Sequence, residues 1–134
     1  AGRTQSLYVC GGAWSVLGCQ RAGLRRAAVL VPGGCWEDGG CLSTPRFASS
    51  AAVLKGCVYV CGGSQAHTPL RVAERFDPGE GRWQYLPPMN SQRAWAVAAA
   101  LLGRIYVCGG SGQRTPCSHL PLGQRKQVLG STEA

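Results

Sequence analysis

One short motif occurs three times in this chain, and it constrains the fold more than any other feature. A hydrophobic residue followed by Tyr-Val-Cys-Gly-Gly reads LYVCGG at 7–12, VYVCGG at 58–63 and IYVCGG at 105–110. The last glycines of successive copies lie 51 and 47 residues apart. A period of about 50 residues is typical of repeat proteins, in which each unit packs on its neighbours. The chain is therefore predicted to be an array of similar units.

Each complete unit is predicted to contain a β-hairpin. Residues 96–102 form an apolar run, Gly103-Arg104 is a two-residue turn, and 105–108 is rich in β-forming residues. The same order occurs earlier around the turn Lys55-Gly56. Two short apolar runs joined by a two-residue glycine turn are typical of a hairpin. Alanine also favours a helix over 96–102, but the repeated pattern is both times too short for an ordinary helix.

Two more strands follow in the central unit. Over 71–77, Val72, Glu74 and Phe76 alternate with Arg71, Ala73 and Arg75, which predicts a strand. The segment 78–81 has the composition of a turn, and 82–86 predicts a further strand. Four short antiparallel strands repeated about every 50 residues are typical of the blades of a β-propeller.

The central unit resembles the kelch repeat. The kelch pattern has a glycine pair, Tyr/Phe-Asp-Pro, a Trp and then Met-x-x-x-Arg, and this order is matched by Gly62-Gly63, Phe76-Asp77-Pro78, Trp83, Met89 and Arg93. The residues predicted to shape turns and sheet packing are Gly11, Gly12, Gly62, Gly63, Asp77, Pro78, Trp83, Gly109 and Gly110. The resemblance implies an all-β fold, an incomplete kelch β-propeller of about two four-stranded antiparallel blades plus a remnant.

The units beside the central one are less regular. Trp36 lies ten residues before Arg46, as Trp83 lies ten before Arg93, so the two pairs align. The predicted domains are the end of a first unit at 1–12, a degenerate repeat at 13–63, a well-formed repeat at 64–110, and at 111–134 the start of a further repeat that diverges into a disordered tail. Two units and a remnant cannot close a ring, so we expect a piece of a longer protein or an unusually short product of its coding sequence.

Charge and cysteine content limit the class of partner and the compartment. The formal charge is +8, but the arginines are scattered and no basic stripe is interleaved with aromatic residues, so nucleic-acid binding is not expected. Repeat-equivalent cysteines should lie far apart, no zinc-ligand spacing occurs, and no apolar stretch is long enough for a membrane. We expect reduced thiols and a cytoplasmic location.

No catalytic arrangement is visible in the sequence. His67 and His119 lie in predicted loops, and Glu37-Asp38 has the character of a solvated turn. Some kelch-fold proteins are copper radical oxidases, and nothing here resembles their Tyr/His ligand set. We therefore expect no enzymatic activity, no cofactor and no metal site.

A binding role is favoured instead, because loops on a rigid scaffold carry function and exposed Trp and Arg are common anchors. The resemblance places the loops after the glycine pairs, and the residues around each Met-x-x-x-Arg arginine, on one face. The predicted partner-binding residues are Trp14, Arg46, Phe47, Ser64, Gln65, His67, Arg93, Trp95, Gln113 and Arg114. The alternative is that Arg46 and Arg93 bond strand ends and that Trp95 belongs to the core.

The repeats most resemble those of kelch-like adaptors, which join BTB and BACK domains to a kelch propeller and present substrates to cullin-RING ubiquitin ligases. The resemblance implies binding of a protein substrate or peptide degron, with the cullin-RING ligase reached through domains absent from these residues. The alternatives are an actin-binding cytoskeletal protein and a truncated fragment without function of its own.

Overall fold

The regular structure of this chain is β-strand throughout the part that can be described. The computed structural model describes residues 5–14, 22–112 and 126–129. In chain order its strands are β1 (Leu7–Cys10), β2 (Ala13–Trp14), β3 (Ala22–Leu30), β4 (Trp36–Arg46), β5 (Ser50–Leu54), β6 (Cys57–Cys61), β7 (Ser64–Gln65), β8 (Thr68–Pro69), β9 (Ala73–Asp77), β10 (Arg82–Tyr85), β11 (Ala94–Leu101), β12 (Arg104–Ser111) and β13 (Lys126–Leu129). Antiparallel pairing joins them into three sheets and the small β7–β8 hairpin, which confirms the predicted all-β class.

The second sheet has the order β10-β9-β6-β5 and contains the four antiparallel strands that the sequence predicts. Its hairpin turns at Lys55-Gly56, where φ is 50° and 76°. Two successive positive φ values define the type I′ turn, whose twist matches that of the flanking strands. In the third sheet the equivalent turn is Leu102-Gly103, with φ of 49° and 73°. The predicted turn Gly103-Arg104 is thus one residue too late, because Arg104 already pairs with Leu101.

The first sheet is built on β3, which pairs with β1 and β2 along one edge and with β4 along the other. Leu30 pairs with Leu7 and with Trp36. In the second sheet Phe76 pairs in the same way with Val58 and with Trp83. The register therefore confirms the alignment of the two tryptophans. The β3–β4 ladder also has two register shifts, in keeping with the irregular sequence of this unit.

The third sheet corrects one expectation about the tail. Residues 126–129 form β13, which pairs antiparallel with β12 from Ile105↔Leu129 to Cys108↔Lys126, so this part is not disordered. The physical reason is that an edge strand presents a row of unpaired N–H and C=O groups, which another strand satisfies whatever its composition. Residues 113–125 and 130–134 lie outside the described ranges.

The core consists of two apolar clusters, each lying between successive sheets. Between the first and second sheets, Leu42 packs with Val58, Val60 and Phe76. Between the second and third, Met89 packs with Ile105, Val107, Cys61 and Ala73. Leu42 and Met89 hold the same place in the repeat and are 0% and 1% exposed. The sheets thus stack face to face, which is how propeller blades bury their apolar area.

The first glycine of each pair combines an unusual backbone conformation with a close approach. Gly62 has φ of +63°, and a Cβ at this position would lie 2.3 Å from the carbonyl oxygen of Arg93. Gly109 holds the same place in the third unit, with φ of +73°, and a Cβ there would meet nothing within 4 Å. Gly62 is therefore required for its conformation and for space, whereas Gly109 is required for its conformation alone.

These two glycines give a matched test of the stacking. Gly109→Ala is expected to lower the free energy of unfolding by about 1–2 kcal/mol, since an L residue is strained at this φ. Gly62→Ala is expected to lower it by at least about 2 kcal/mol more, since the Arg93 carbonyl must also move. Urea denaturation followed by tryptophan fluorescence measures both. Equal losses would show that the close approach is not a constraint.

Candidate functional site

The three glycine pairs lie at one end of the sheets, here called the glycine end. Strands β1 and β6 each end at a glycine pair, and β12 contains its pair near its C-terminal end, so the segments that follow share that end. Backbone bonds tie these segments together: Gly12 N donates to the Arg46 carbonyl at 3.0 Å, and Gly63 N donates to the Arg93 carbonyl at 2.7 Å. The predicted partner-binding residues that the structure describes are at this end.

Arg46 lies at the centre of the largest polar network near the glycine end. Its side chain is 0% exposed. Nη1 donates to the carbonyls of Gly62 at 3.0 Å and Val72 at 3.1 Å, and Nη2 forms an ion pair with Glu74. Burial lowers the pKa of the Arg46 guanidinium, and the charge and hydrogen bond of Glu74 oppose that shift.

Glu74 is equally buried and is satisfied by three donors. Besides Arg46, its carboxylate accepts hydrogen bonds from the backbone N–H groups of Ser43 at 2.8 Å and Thr44 at 3.2 Å. A buried charge is tolerated when it is paired and hydrogen-bonded, as it is here. The network joins the end of β4 in the first sheet to β9 in the second.

The structure contradicts the prediction that Arg46 contacts a partner. Its donors bind groups within the fold, in agreement with the alternative that this arginine bonds strand ends. Glu74 is not among the predicted site residues, because in the sequence it is one member of an ordinary strand. Its burial could have been predicted from its position, because Glu74 lies on the same strand face as Phe76, which packs in the core. A carboxylate on an inward face requires a buried cation nearby.

Arg93 repeats the arrangement with one difference. It is 5% exposed, and its Nη1 donates to the carbonyl of Gly109 at 2.7 Å. Its Nε is buried with no hydrogen-bond partner among the described residues. The register places Gln127 at the position on β13 that Glu74 holds on β9, because Val107 pairs with Gln127 as Val60 pairs with Glu74. Like Arg46, Arg93 is thus a structural residue and not a partner contact.

Each of these arginines joins two successive glycine pairs. The Arg46 carbonyl accepts from Gly12, while its guanidinium binds the carbonyl of Gly62. The carbonyl and guanidinium of Arg93 do the same for Gly63 and Gly109. The recurring glycines and arginines therefore form a repeated set of hydrogen bonds, and these bonds fix the position of each sheet relative to the next.

Trp95 is the most prominent exposed side chain at the glycine end. It is 64% exposed and has φ of 61°. Its backbone N donates to the carbonyl of Ala48 at 2.9 Å, and Ala48, its repeat equivalent, has φ of 54°. Left-handed backbone is uncommon for residues other than glycine, and such strain concentrates at functional sites. A large aromatic side chain held outward by this backbone is a candidate anchor.

Backbone hydrogen bonds connect Trp95, through Ala48 and the adjacent Phe47, to the β7–β8 hairpin that carries the remaining candidates. Ser64 and Phe47 exchange backbone hydrogen bonds of 2.8 and 3.1 Å, and Ser64 is buried. The Ser64 hydroxyl lies 3.2 Å from the carbonyls of Ala66 and Thr68 and so shapes the β7–β8 hairpin. Gln65 and His67 are exposed on that hairpin. We call the set Phe47, Ala48, Gln65, His67 and Trp95 the Trp95 surface. The side chain of Trp14, together with Gln113 and Arg114, lies outside what the structure describes.

Charge is distributed unevenly between the two ends of the sheets. The exposed carboxylates of the described residues, and the half-buried Asp77, lie at or near the turns of the opposite end. Ion pairs form there between Asp38 and Arg26, Asp77 and Arg75, and Glu80 and Arg82. At the glycine end Arg71 is exposed, and Glu74, the carboxylate nearest that end, is buried. The surface around Trp95 is therefore free of competing carboxylates within the described ranges.

The cysteines are thiols with different accessibility. All six that the structure describes are free. Burial raises the pKa of the Cys10 thiol to about 11 and that of Cys61 to about 12, whereas Cys35 and Cys41 are exposed. Within residues 5–14, 22–112 and 126–129, no group of three or more His, Cys, Asp or Glu side chains is placed to hold a metal ion. No helix in these ranges is long and apolar enough to cross a membrane.

Comparison with known proteins confirms the resemblance to the kelch repeat. Residues 45–90 match the family model described as Kelch motif. The chain is 31% identical over 81 residues to human Kelch repeat and BTB domain-containing protein 13, covering 60% of this chain and 17% of that protein. It is 36% identical over 64 residues to human Kelch-like protein 4, covering 48% of this chain and 9% of that one. The chain thus spans less than a fifth of these curated relatives.

A solved structure shares the fold. A fungal alcohol oxidase of the AA5 family, in complex with copper, superimposes with a TM-score of 0.68 at 23% identity, covering 80% of this chain and 24% of that one. At this identity the likeness shows the fold alone. It supports an incomplete β-propeller, and it contradicts the expectation of no enzymatic activity, because the same fold carries oxidase chemistry in that protein.

The buried ion pair gives a second stability test. Glu74→Gln leaves Arg46 buried without a counter-charge and is expected to lower the free energy of unfolding by about 3–5 kcal/mol. The control is Glu80→Gln, which removes the partner of an exposed ion pair and should change stability by less than about 1 kcal/mol. Chemical denaturation of the 134-residue chain measures both. A loss at Glu74 no larger than at Glu80 would contradict a structural role for the pair.

The thiols give a third test. In the folded chain at pH 8, iodoacetamide should modify Cys35 and Cys41 rapidly, because both are exposed. Cys61 should be modified far more slowly, because the thiolate is the nucleophile and burial raises this pKa to about 12. Peptide mass spectrometry over time, with a urea-unfolded sample as control, separates the sites. Equal rates at Cys35 and Cys61 in the folded sample would contradict the burial of Cys61.

Proposed function

Because this chain carries a kelch motif and forms part of a β-propeller, we propose that it is a protein-interaction module whose partner binds the Trp95 surface at the glycine end. The observation that carries the proposal is Trp95 itself, 64% exposed on left-handed backbone. Tryptophan is enriched among interface residues that dominate binding energy. Backbone hydrogen bonds fix the segment that carries it, since Gly63 N donates to the Arg93 carbonyl and Trp95 N donates to the Ala48 carbonyl, so the anchor is preorganised.

At the finer level, we propose that the module recognises substrates for a kelch-like adaptor of a cullin-RING ubiquitin ligase. The names of the two human relatives, one kelch-like and one with a BTB domain, support this role. Contact with the ligase would be made outside these 134 residues. A cytoplasmic location fits the free cysteines, since thiols persist in a reducing compartment.

The expected partner is a peptide segment that combines an apolar side chain with carboxylates. The apolar group would pack on Trp95, and the carboxylates would face a glycine end that exposes Arg71 and carries no exposed carboxylate in the described ranges. Complementary charge raises the rate of encounter and excludes basic partners.

A peptide selection tests this proposal. Displayed random 12-residue peptides are selected on the immobilised chain, and the affinity of the enriched peptides is measured by fluorescence polarisation. Trp95→Ala is expected to weaken binding by about 30-fold, corresponding to the loss of about 2 kcal/mol at an interface anchor.

The matched control is Leu102→Ala. Leu102 is also a large apolar residue, 89% exposed with φ of 49°, but it lies in a turn at the opposite end. It should leave the affinity unchanged. Equal affinity for the Trp95→Ala variant and the wild-type chain would refute the proposed site, while co-sedimentation with actin filaments would favour the cytoskeletal alternative.

A further inference from the structure

A threonine followed by proline is exposed beside the Trp95 surface. The β7–β8 hairpin pairs Gln65 with Thr68. Thr68 is exposed, and so is Arg71, three residues further along the chain. A residue before proline favours extended backbone, which agrees with the position of Thr68 in strand β8. The segment His-Thr-Pro-Leu-Arg therefore presents a hydroxyl group, a proline and a cation in that order.

Thr68 lies in the interior of the repeat array, so its exposure is not a consequence of where the described residues begin or end. The hairpin follows β6 of the second sheet, which packs against the first sheet on one side and the third on the other. The Ser64 hydroxyl lies 3.2 Å from the carbonyl of Thr68, and Ser64 exchanges backbone bonds with Phe47. The fold thus holds Thr68 beside Gln65 and His67, which belong to the Trp95 surface.

A second threonine, Thr44, also precedes a proline, and it provides the internal comparison. Thr44 is half-buried in β4, and its Oγ1 lies 3.1 Å from the hydroxyl oxygen of Tyr85. Its backbone N–H donates to the buried carboxylate of Glu74 at 3.2 Å. An enzyme could draw out this segment only by breaking those bonds, and no cation stands three residues after it. Of the two Thr-Pro sequences in the described ranges, the one at Thr68 is therefore the accessible one.

We propose that Thr68 is a phosphorylation site for a proline-directed protein kinase, and that its phosphate regulates partner binding at the Trp95 surface. Kinases of this class take an extended segment in which proline follows the hydroxyl residue, and several favour a basic residue at the third position after it. The Thr68 hydroxyl oxygen attacks the γ-phosphorus of ATP, the bond from that phosphorus to the bridging oxygen breaks, and ADP leaves. The hydroxyl proton passes to the catalytic aspartate of the kinase.

The regulatory effect rests on the proposed function, because it concerns the same surface. A phosphothreonine carries a charge of about −1.5 to −2 at pH 7. Within the described ranges the glycine end has no exposed carboxylate, so the phosphate introduces negative charge where there was none. The carboxylates expected in the partner then meet a like charge, and juxtaposed like charges suppress binding. Phosphorylation of Thr68 thus releases the partner.

The rate of phosphorylation at each site is the primary test. The 134-residue chain is incubated with a purified cyclin-dependent kinase and ATP, and phosphopeptides are quantified over time by mass spectrometry. Thr68 should be modified at least about tenfold faster than Thr44, because the fold protects Thr44. A synthetic peptide of residues 40–50 should lose that protection. Equal rates at the two threonines of the folded chain would overturn the proposal, as would an unmodified Thr68 when a peptide of residues 62–74 is modified.

Thr68→Val and Thr44→Val are the matched variants, since each replaces a hydroxyl by a methyl group of similar volume. Thr68→Val should remove the phosphate that maps to residues 64–74, whereas Thr44→Val should leave it unchanged. Phosphate on this segment in the Thr68→Val variant would assign the modification to another residue and overturn the proposal.

Fluorescence polarisation with the 12-residue peptides enriched in the selection measures the regulatory effect. The phosphorylated chain should bind them at least about tenfold more weakly than the unmodified chain in about 50 mM salt, and the difference should shrink in about 500 mM salt. Kinase-treated Thr68→Val should bind like the untreated chain. Equal affinities of the phosphorylated and unmodified chains would overturn the regulation. A selection that enriches no peptide would refute the proposed function, while the phosphorylation rates would still decide the modification site.

Discussion

The double engagement of Arg46 is the interaction on which the rest of this structure depends. Its carbonyl receives the N–H of Gly12, and its guanidinium binds the carbonyls of Gly62 and Val72 and the carboxylate of Glu74. One residue thus ties a glycine pair in the first sheet to a glycine pair in the second. Because side chain and backbone of the same residue are both used, the distance between sheets and their relative register are set together. The apolar clusters then pack within a fixed spacing.

A buried ion pair does not by itself make a fold more stable than apolar residues of similar volume would. Its value here is geometric, since the guanidinium can satisfy these acceptors in only one arrangement of the two sheets. The third unit has only part of this network. Arg93 keeps its bond to the carbonyl of Gly109, but the register pairs Val107 with Gln127, whereas the equivalent Val60 pairs with the carboxylate residue Glu74. This network of hydrogen bonds and charge is thus complete between the first two sheets and partial between the second and third.

Local patterns were sufficient to predict the hairpins, the repeat alignment and the stacking of antiparallel sheets. Those features depend on residues close in sequence or repeated at a fixed period, so the sequence shows them directly. The burial of Arg46 could not be predicted in this way, because it depends on a carboxylate 28 residues away, and an arginine in an exposed loop has the same local sequence. Strand β13 was missed for a related reason: its pairing is determined by the open edge of β12 and not by its own composition. The exclusion of catalysis failed because a propeller scaffold does not determine the chemistry of its loops.

The same hydrogen bonds also position the surface proposed for partners. Each arginine places its carbonyl against the following glycine pair, and the chain beyond it, at Ala48 or Trp95, must turn through left-handed backbone before entering the next hairpin. This directs Trp95 outward at the glycine end, apart from the apolar clusters that lie between the sheets. The residues that fix the position of one sheet relative to the next are thus the same residues that hold the exposed tryptophan in place.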